Sequence, residues 1–251
     1  MTETSGYFRN SKNETSEHTS AIVPLISEDK KHNKLFFIGT AFYISNLGIL
    51  ITAKHNLFDK NDKLFDNLGV YHFLPANQYI LRPIRKLTYS NDYDIAYLLP
   101  EEIKYKGTEL VLSQSLVLTD STPEPGEQLG TYGYPNSKMD NYRADFNPKF
   151  YKGNCTEFHP NGFSILKSPC YQTTILIKGG ASGGPVFDKN GKVFAICSTG
   201  YDLIEGEENI SFVTPISPSF NMTIEDGTNE TTTISNLIER KIIVFEKNVS
   251  S

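Results

Sequence analysis

The 251-residue chain is poor in cysteine, with three, and in histidine, with five. Cys155, Cys170 and Cys197 are odd in number and have no Cys-x-x-Cys spacing, which argues against a full disulfide framework and a cysteine-rich zinc site. They read as small buried hydrophobes in a reducing compartment, with one bridge, Cys155 to Cys170, left open. Nowhere do about 18 apolar residues run uninterrupted, as a membrane-spanning helix requires. Met1 to Ser20 lacks the charged, apolar, then small-residue order of a signal peptide, so a cytoplasmic protein is expected rather than a secreted or anchored one. Asn-x-Ser/Thr triplets at Asn13, Asn154, Asn209, Asn221, Asn229 and Asn248 point towards glycosylation, but Asn, Ser and Thr are common enough here for several to arise by chance. Excess positive charge is missing too. The net charge of −5 leaves no electrostatic footprint for DNA or RNA.

What is present suits a soluble globular chain of one large or two small domains, 38% hydrophobic and 21% charged. A chain of this length buries roughly 70 to 75% of its unfolded surface and needs no staples. Residues 1–20 hold few aliphatic side chains and read as a flexible tail. From Ala21 on, apolar or alternating runs are separated by Asn, Asp, Gly and Pro. The runs are Phe36 to Ile44, Ile49 to Ala53, Val70 to Leu74, Tyr79 to Ile84, Ile95 to Leu99 and Glu109 to Val117. After Thr122 to Gly126 come Gln128 to Tyr134, Phe163 to Leu166, Thr173 to Ile177, Pro185 to Phe187, Val193 to Cys197 and Ile210 to Pro215. Strand length and the scarcity of helical periods make this an all-β pattern. The expected organisation is a β-barrel over 21–121, a linker at 122–127, a second β-barrel over 128–220 and a C-terminal segment, 221–251. That last segment carries a short helix, with Ile234, Leu237, Ile238 and Lys241 on one face.

One string stands out for chemistry: Lys178-Gly179-Gly180-Ala181-Ser182-Gly183-Gly184-Pro185. Glycines around one serine let the backbone bend sharply, bring N–H groups towards one point and uncover the hydroxyl, as an acyl-transfer nucleophile needs. A glycine-rich turn with an incidental serine is the other reading. The Gly-x-Ser-x-Gly spacing also fits a nucleophile elbow, but that fold puts its histidine after the serine, and none follows Ser182. Of the histidines, His18 and His32 lie in polar segments, His72 inside an apolar run and His159 in a Pro-Asn-Gly loop. His55 ends the run Gly48 to His55, just past a buried strand, and is the candidate base. A carboxylate at a core edge would orient it. Asp94 abuts the apolar strand that follows and fits better than Asp92, which reads as a turn former.

Gly39-Thr40-Ala41-Phe42, then Ile51-Thr52-Ala53-Lys54-His55, Asp94-Ile95-Ala96 and Gly180-Ala181-Ser182-Gly183-Gly184-Pro185 together resemble the trypsin-like serine peptidases. The likeness runs from about residue 35 to 217. Tyr132 to Pro135, Tyr171 to Thr174 and Ser211 to Pro215 are similar to the bacterial Deg-type branch. The resemblance implies two six-stranded antiparallel barrels with His55, Asp94 and Ser182 in the cleft, and an oxyanion hole from the N–H groups of Gly180 and Ser182. It implies no cofactor, no metal, and a protein or peptide as partner.

The departures matter as well. Ala181 stands where digestive members carry an aspartate, and no Ile-Val-Gly-Gly start is present, so the non-zymogen branch fits. Ser198, Thr199 and Gly200 should form the substrate-binding strand, and Leu176 and Ile177 the pocket floor, without a carboxylate for Arg or Lys. Cys197 stands where glutamate-specific relatives carry a histidine. A small or medium apolar P1 residue is expected. The stretch after Ser217 is shorter than the ~50 residues of a small domain, so no appended peptide-binding domain is expected. Two other readings remain: a trypsin-like fold serving as a latent or non-catalytic binding module, and an esterase on the same scaffold. Oligomeric state is not legible.

Overall fold

The computed structural model describes residues 8–9, 15–16, 20–74, 78–102, 104–105, 109–110, 114–140, 143–201, 209–225 and 230–248. Most of the expected flexible tail, part of Glu109 to Val117, His18 and the triplets at Asn13 and Asn229 lie outside those residues.

Twelve strands close into two six-stranded antiparallel barrels. The first holds β1 (Ile22–Asp29), β2 (Lys34–Tyr43), β3 (Leu50–Thr52), β4 (Leu68–Leu74), β5 (Gln78–Tyr89) and β6 (Ala96–Pro100). The second holds β7 (Gln128–Gly133), β8 (Lys149–His159), β9 (Cys170–Thr173), β10 (Pro185–Phe187), β11 (Val193–Gly200) and β12 (Ser211–Pro215). The strand order is β1-β2-β3-β6-β5-β4 in the first and β7-β8-β9-β12-β11-β10 in the second, so one topology is used twice without a visible sequence repeat.

Alternation explains the first barrel. Ala41, Tyr43, Leu50, Ala96 and Leu98 point inward, while Phe42, Ile44, Ile51, Tyr97 and Leu99 point outward into a cluster shared with Tyr134 and Phe187 of the second half. Both faces of β3, of β6 and of the second half of β2 are therefore buried, which is why these stretches read as nearly continuous apolar runs. The second barrel packs Leu129, Cys155, Ile175, Val186, Phe194, Cys197 and Val213.

Two expected elements differ, and two strands take their places. Glu109 to Val117 is not the sixth strand of the first barrel; that place belongs to β1, whose Pro24 and Ser27-Glu28-Asp29 end mask its pattern. The described end of the expected run instead crosses between barrels, with Leu116 N–H donating to Tyr43 C=O and Val193 N–H to Val117 C=O. Phe163 to Leu166 is a tight turn closed by reciprocal backbone bonds rather than a strand. The strand in its place is β8, in which Cys155 alone is fully buried and Lys149, Lys152, Asn154 and Glu157 are exposed.

The C-terminal segment covers the shared cluster. Helix α1 (Ile234–Glu239) is capped by Thr233, whose hydroxyl accepts from Asn236 N–H. It stops before Lys241, whose φ of 58° places it in a left-handed turn. There Lys241 N–H bonds Ile238 C=O and Ile242 N–H bonds Leu237 C=O, a Schellman ending. Ile234, Leu237 and Ile243 bury between the barrels. All three cysteines are free and buried. Cys155 lies opposite Thr173 while Cys170 lies opposite His159, an offset along the strands of roughly 10 Å or more at ~3.3 Å per residue, beyond a disulfide's reach.

Candidate active site

β3 and β6 pair with Thr52 opposite Ala96. That register brings the turn after β3 beside the loop before β6, so His55, three residues past Thr52, meets Asp94, two before Ala96. His55 sits on a 3-10 turn, Lys54–Leu57. Its main-chain N–H donates to Asp94 Oδ1 at 3.0 Å, and its Nδ1 lies 2.9 Å from Oδ2 and 3.1 Å from Oδ1. A carboxylate only accepts, so in the neutral ring the proton sits on Nδ1 and Nε2 keeps its lone pair. The aspartate side chain is 11% exposed and the histidine 48%; the carboxylate is sheltered while the ring faces the cleft. Asp92 lies in a turn closed by Ser90, whose Oγ accepts from Asp92 N–H at 3.1 Å and from Tyr93 N–H at 3.0 Å.

Ser182 projects from the loop between β9 and β10. Gly180 (φ 94°) and Gly183 (φ 82°) adopt backbone angles that side chains disfavour. Ala181 N–H bonds Lys178 C=O, and Asn136 N–H bonds Gly179 C=O at 2.9 Å. A planar trans peptide directs its N–H opposite to its C=O, so this anchor turns the Gly180 N–H the other way. Among the described residues neither the Gly180 nor the Ser182 N–H has a backbone acceptor. The Ser182 hydroxyl donates to Ser198 C=O at 3.3 Å.

His55, Asp94, Ser182, Ile177, Ser198, Thr199 and Gly200 line one cleft of about 700 Å³ between the barrels. Two expected pocket residues do not line it. Cys197 is fully buried on the barrel side of β11, with Sγ 3.0 Å from Thr131 Oγ1; burial pushes its thiol up to about 12. Leu176 lies between the inward-facing Ile175 and Ile177, and alternation turns it away. Gly200 closes tightly on its opposite wall: a Cβ there would lie 2.5 Å from Ile177 C=O.

The other described histidines stay outside the cleft. His72 is 3% exposed with Nδ1 3.1 Å from Tyr43 Oη; burial, then the charge of Arg82, lowers it to about 4. His159 packs on Phe163 and Phe212. His32 pairs with Asp29 at the surface. No group of three or more His, Cys, Asp or Glu that could hold a metal occurs among the described residues.

Two residues beside the cleft were not legible as functional. Thr40 N–H donates to Ser182 C=O at 2.9 Å, and Thr40 Oγ1 to Gly180 C=O at 2.7 Å. Asn56 Nδ2 also donates to Ser182 C=O, at 2.9 Å. The only sequence signal was their adjacency to Gly39 and His55.

No curated protein matches the sequence. Among solved structures, the MamO protease domain from Magnetospirillum magneticum is 16% identical with a TM-score of 0.56, covering 79% of this chain and 93% of that one. The serine endoprotease from Yersinia pestis is 18% identical at 0.52, covering 89% of this chain but 63% of its own length. Deg5 is 19% identical at 0.54, covering 80% and 85%. At these identities the likeness establishes the two-barrel fold. A family model, that of the trypsin-like peptidase domain, matches residues 39–196, a span that includes the His55 turn, the Asp94 loop and the Ser182 loop, and the chain belongs to that family.

Proposed function

We propose that the chain is a serine endopeptidase in which Ser182 is the nucleophile, His55 the base and Asp94 the group that orients it. The observation that carries this reading is the His55–Asp94 pair on one wall of the cleft and Ser182 on the other. Turning the Ser182 side chain off Ser198 C=O would present Oγ to His55 Nε2. As Oγ attacks the peptide carbonyl, Nε2 takes its proton and then delivers it to the departing amine; water repeats the sequence to release the acyl group. The Gly180 and Ser182 N–H groups would stabilise the oxyanion, a contribution on the order of 3 kcal/mol per donor. The closeness of Gly200 to Ile177 supports a small or medium apolar P1 residue.

A second reading, a latent or non-catalytic module, draws support from the Ser182–Ser198 bond and the closed Gly200 wall. A diverse peptide library read by mass spectrometry separates the two. Cleavage after residues such as Ala or Val, lost in Ser182→Ala, is expected. Efficient cleavage after Arg or Glu would overturn the P1 preference, and a folded wild type that cleaves nothing would favour the latent module.

A further inference from the structure

The residue after the proposed base, in the first half of the chain, bonds the main chain of the proposed nucleophile in the second. Asn56, 5% exposed, directs Nδ2 to Ser182 C=O at 2.9 Å and to Thr52 Oγ1 at 3.1 Å. The same carbonyl accepts from Thr40 N–H, while the N–H of that peptide, on Gly183, donates to Cys197 C=O at 2.8 Å. The peptide after Ser182 is thus held by the first barrel through its oxygen and by the second through its nitrogen. Because a peptide is rigid and planar, fixing both ends fixes the Ser182 Cα on one side of it.

Room for this bond comes from Gly39. A Cβ at that position would lie 2.4 Å from Asn56 Nδ2 and 2.8 Å from Oδ1, so any side chain there displaces the amide. Asn56 and His55 are neighbours on one 3-10 turn. A single side chain therefore ties the backbone that carries the base to the backbone that carries the nucleophile. We propose that Asn56 is a positioning residue that sets the distance between the Ser182 hydroxyl and His55, with Gly39 as the space it requires. This inference rests on the triad reading above.

The test uses the limiting rate and the half-saturating concentration of a fluorophosphonate probe on the full chain, with thermal unfolding measured alongside. Asn56→Asp keeps the shape but replaces the donor with an acceptor facing Ser182 C=O. Gly39→Ala keeps the amide but pushes it aside. Each should lower the limiting rate by roughly 10- to 100-fold, as a misplacement on the ångström scale does, with half-saturation within about twofold of wild type. In an Asn56→Ala background, Gly39→Ala should slow labelling no further, because the clash is gone. This pair of measurements stands even where Asn56→Asp does not fold. Folded Asn56→Asp labelling at the wild-type limiting rate, or Gly39→Ala slowing labelling by the same factor with and without the Asn56 side chain, would overturn the proposal. A wild type that takes no probe would overturn the triad reading instead.

Discussion

In the first barrel, His55 and Asp94 are bonded to each other through a ring nitrogen and a main-chain N–H, and the strand register that joins them is internal to that barrel. In the second, the loop bearing Ser182 is held from both sides: Thr40 of the first barrel holds the carbonyls of Gly180 and Ser182 and Asn56 holds that of Ser182 again, while Asn136 and Cys197 of the second hold Gly179 C=O and Gly183 N–H. The same topology thus positions side chains in two ways. A short strand-to-turn connection is enough for the base and its carboxylate. A glycine-rich loop, costly to order, needs a partner barrel to define it. The comparison also assigns roles to the barrel surfaces: the face of β2 and β3 that meets the second half is a template for the nucleophile loop.

The largest disturbance expected is to the first barrel's pair. Asp94→Asn should keep the fold but lose the carboxylate that fixes the Nδ1–H tautomer, and peptide cleavage at neutral pH should fall on the order of 10⁴-fold. Unchanged cleavage would show that the pair does not act as described. Next comes the loop. Gly180→Ala would place a Cβ 2.5 Å from the Phe37 ring and 2.7 Å from Tyr134 C=O at a φ of 94°. Turning that peptide should cost roughly 10²- to 10³-fold in turnover, while His55 and Asp94 stay paired.

A pH titration separates the barrels by stability. His72, inside the first barrel, has its folded value lowered to about 4 from an ordinary 6.5. The unfolded chain therefore binds the proton more readily between those values. Its contribution is present above pH 6.5 and is lost as pH falls towards 4, on the order of 3 kcal/mol. Denaturant unfolding at stepped pH should show this slope, and His72→Leu should remove most of it. The smallest effect belongs to the far side of the second barrel. Cys155→Ala removes a buried thiol whose weak bond to Pro123 C=O spans 3.7 Å. It should cost about 1 kcal/mol, a few degrees in Tm, with cleavage within about twofold of wild type.

The barrels were legible where both faces of a strand are buried, as in Ile49 to Ala53 and Val193 to Cys197, because such runs stay apolar. β1 and β8 were missed for opposite reasons. Pro24 and the charged end of β1 look like a loop although the strand is largely buried, and β8 alternates so much exposed polarity that no apolar run remains. His55, Asp94 and Ser182 could be named because each sits in a local string with its own chemical logic. Thr40 and Asn56 could not, since their importance lies in bonds made across 142 and 126 positions of sequence. Cys197 was placed in the pocket by resemblance to relatives with a histidine there, whereas a small apolar thiol packs into the barrel core instead.

The most direct test of the account is intact-mass analysis of the folded chain after exposure to a fluorophosphonate, beside the Ser182→Ala variant. The account predicts one phosphonyl group on the wild type, mapped to Ser182 and absent from the variant. A folded wild type without the adduct, or an adduct that persists in Ser182→Ala, would contradict it.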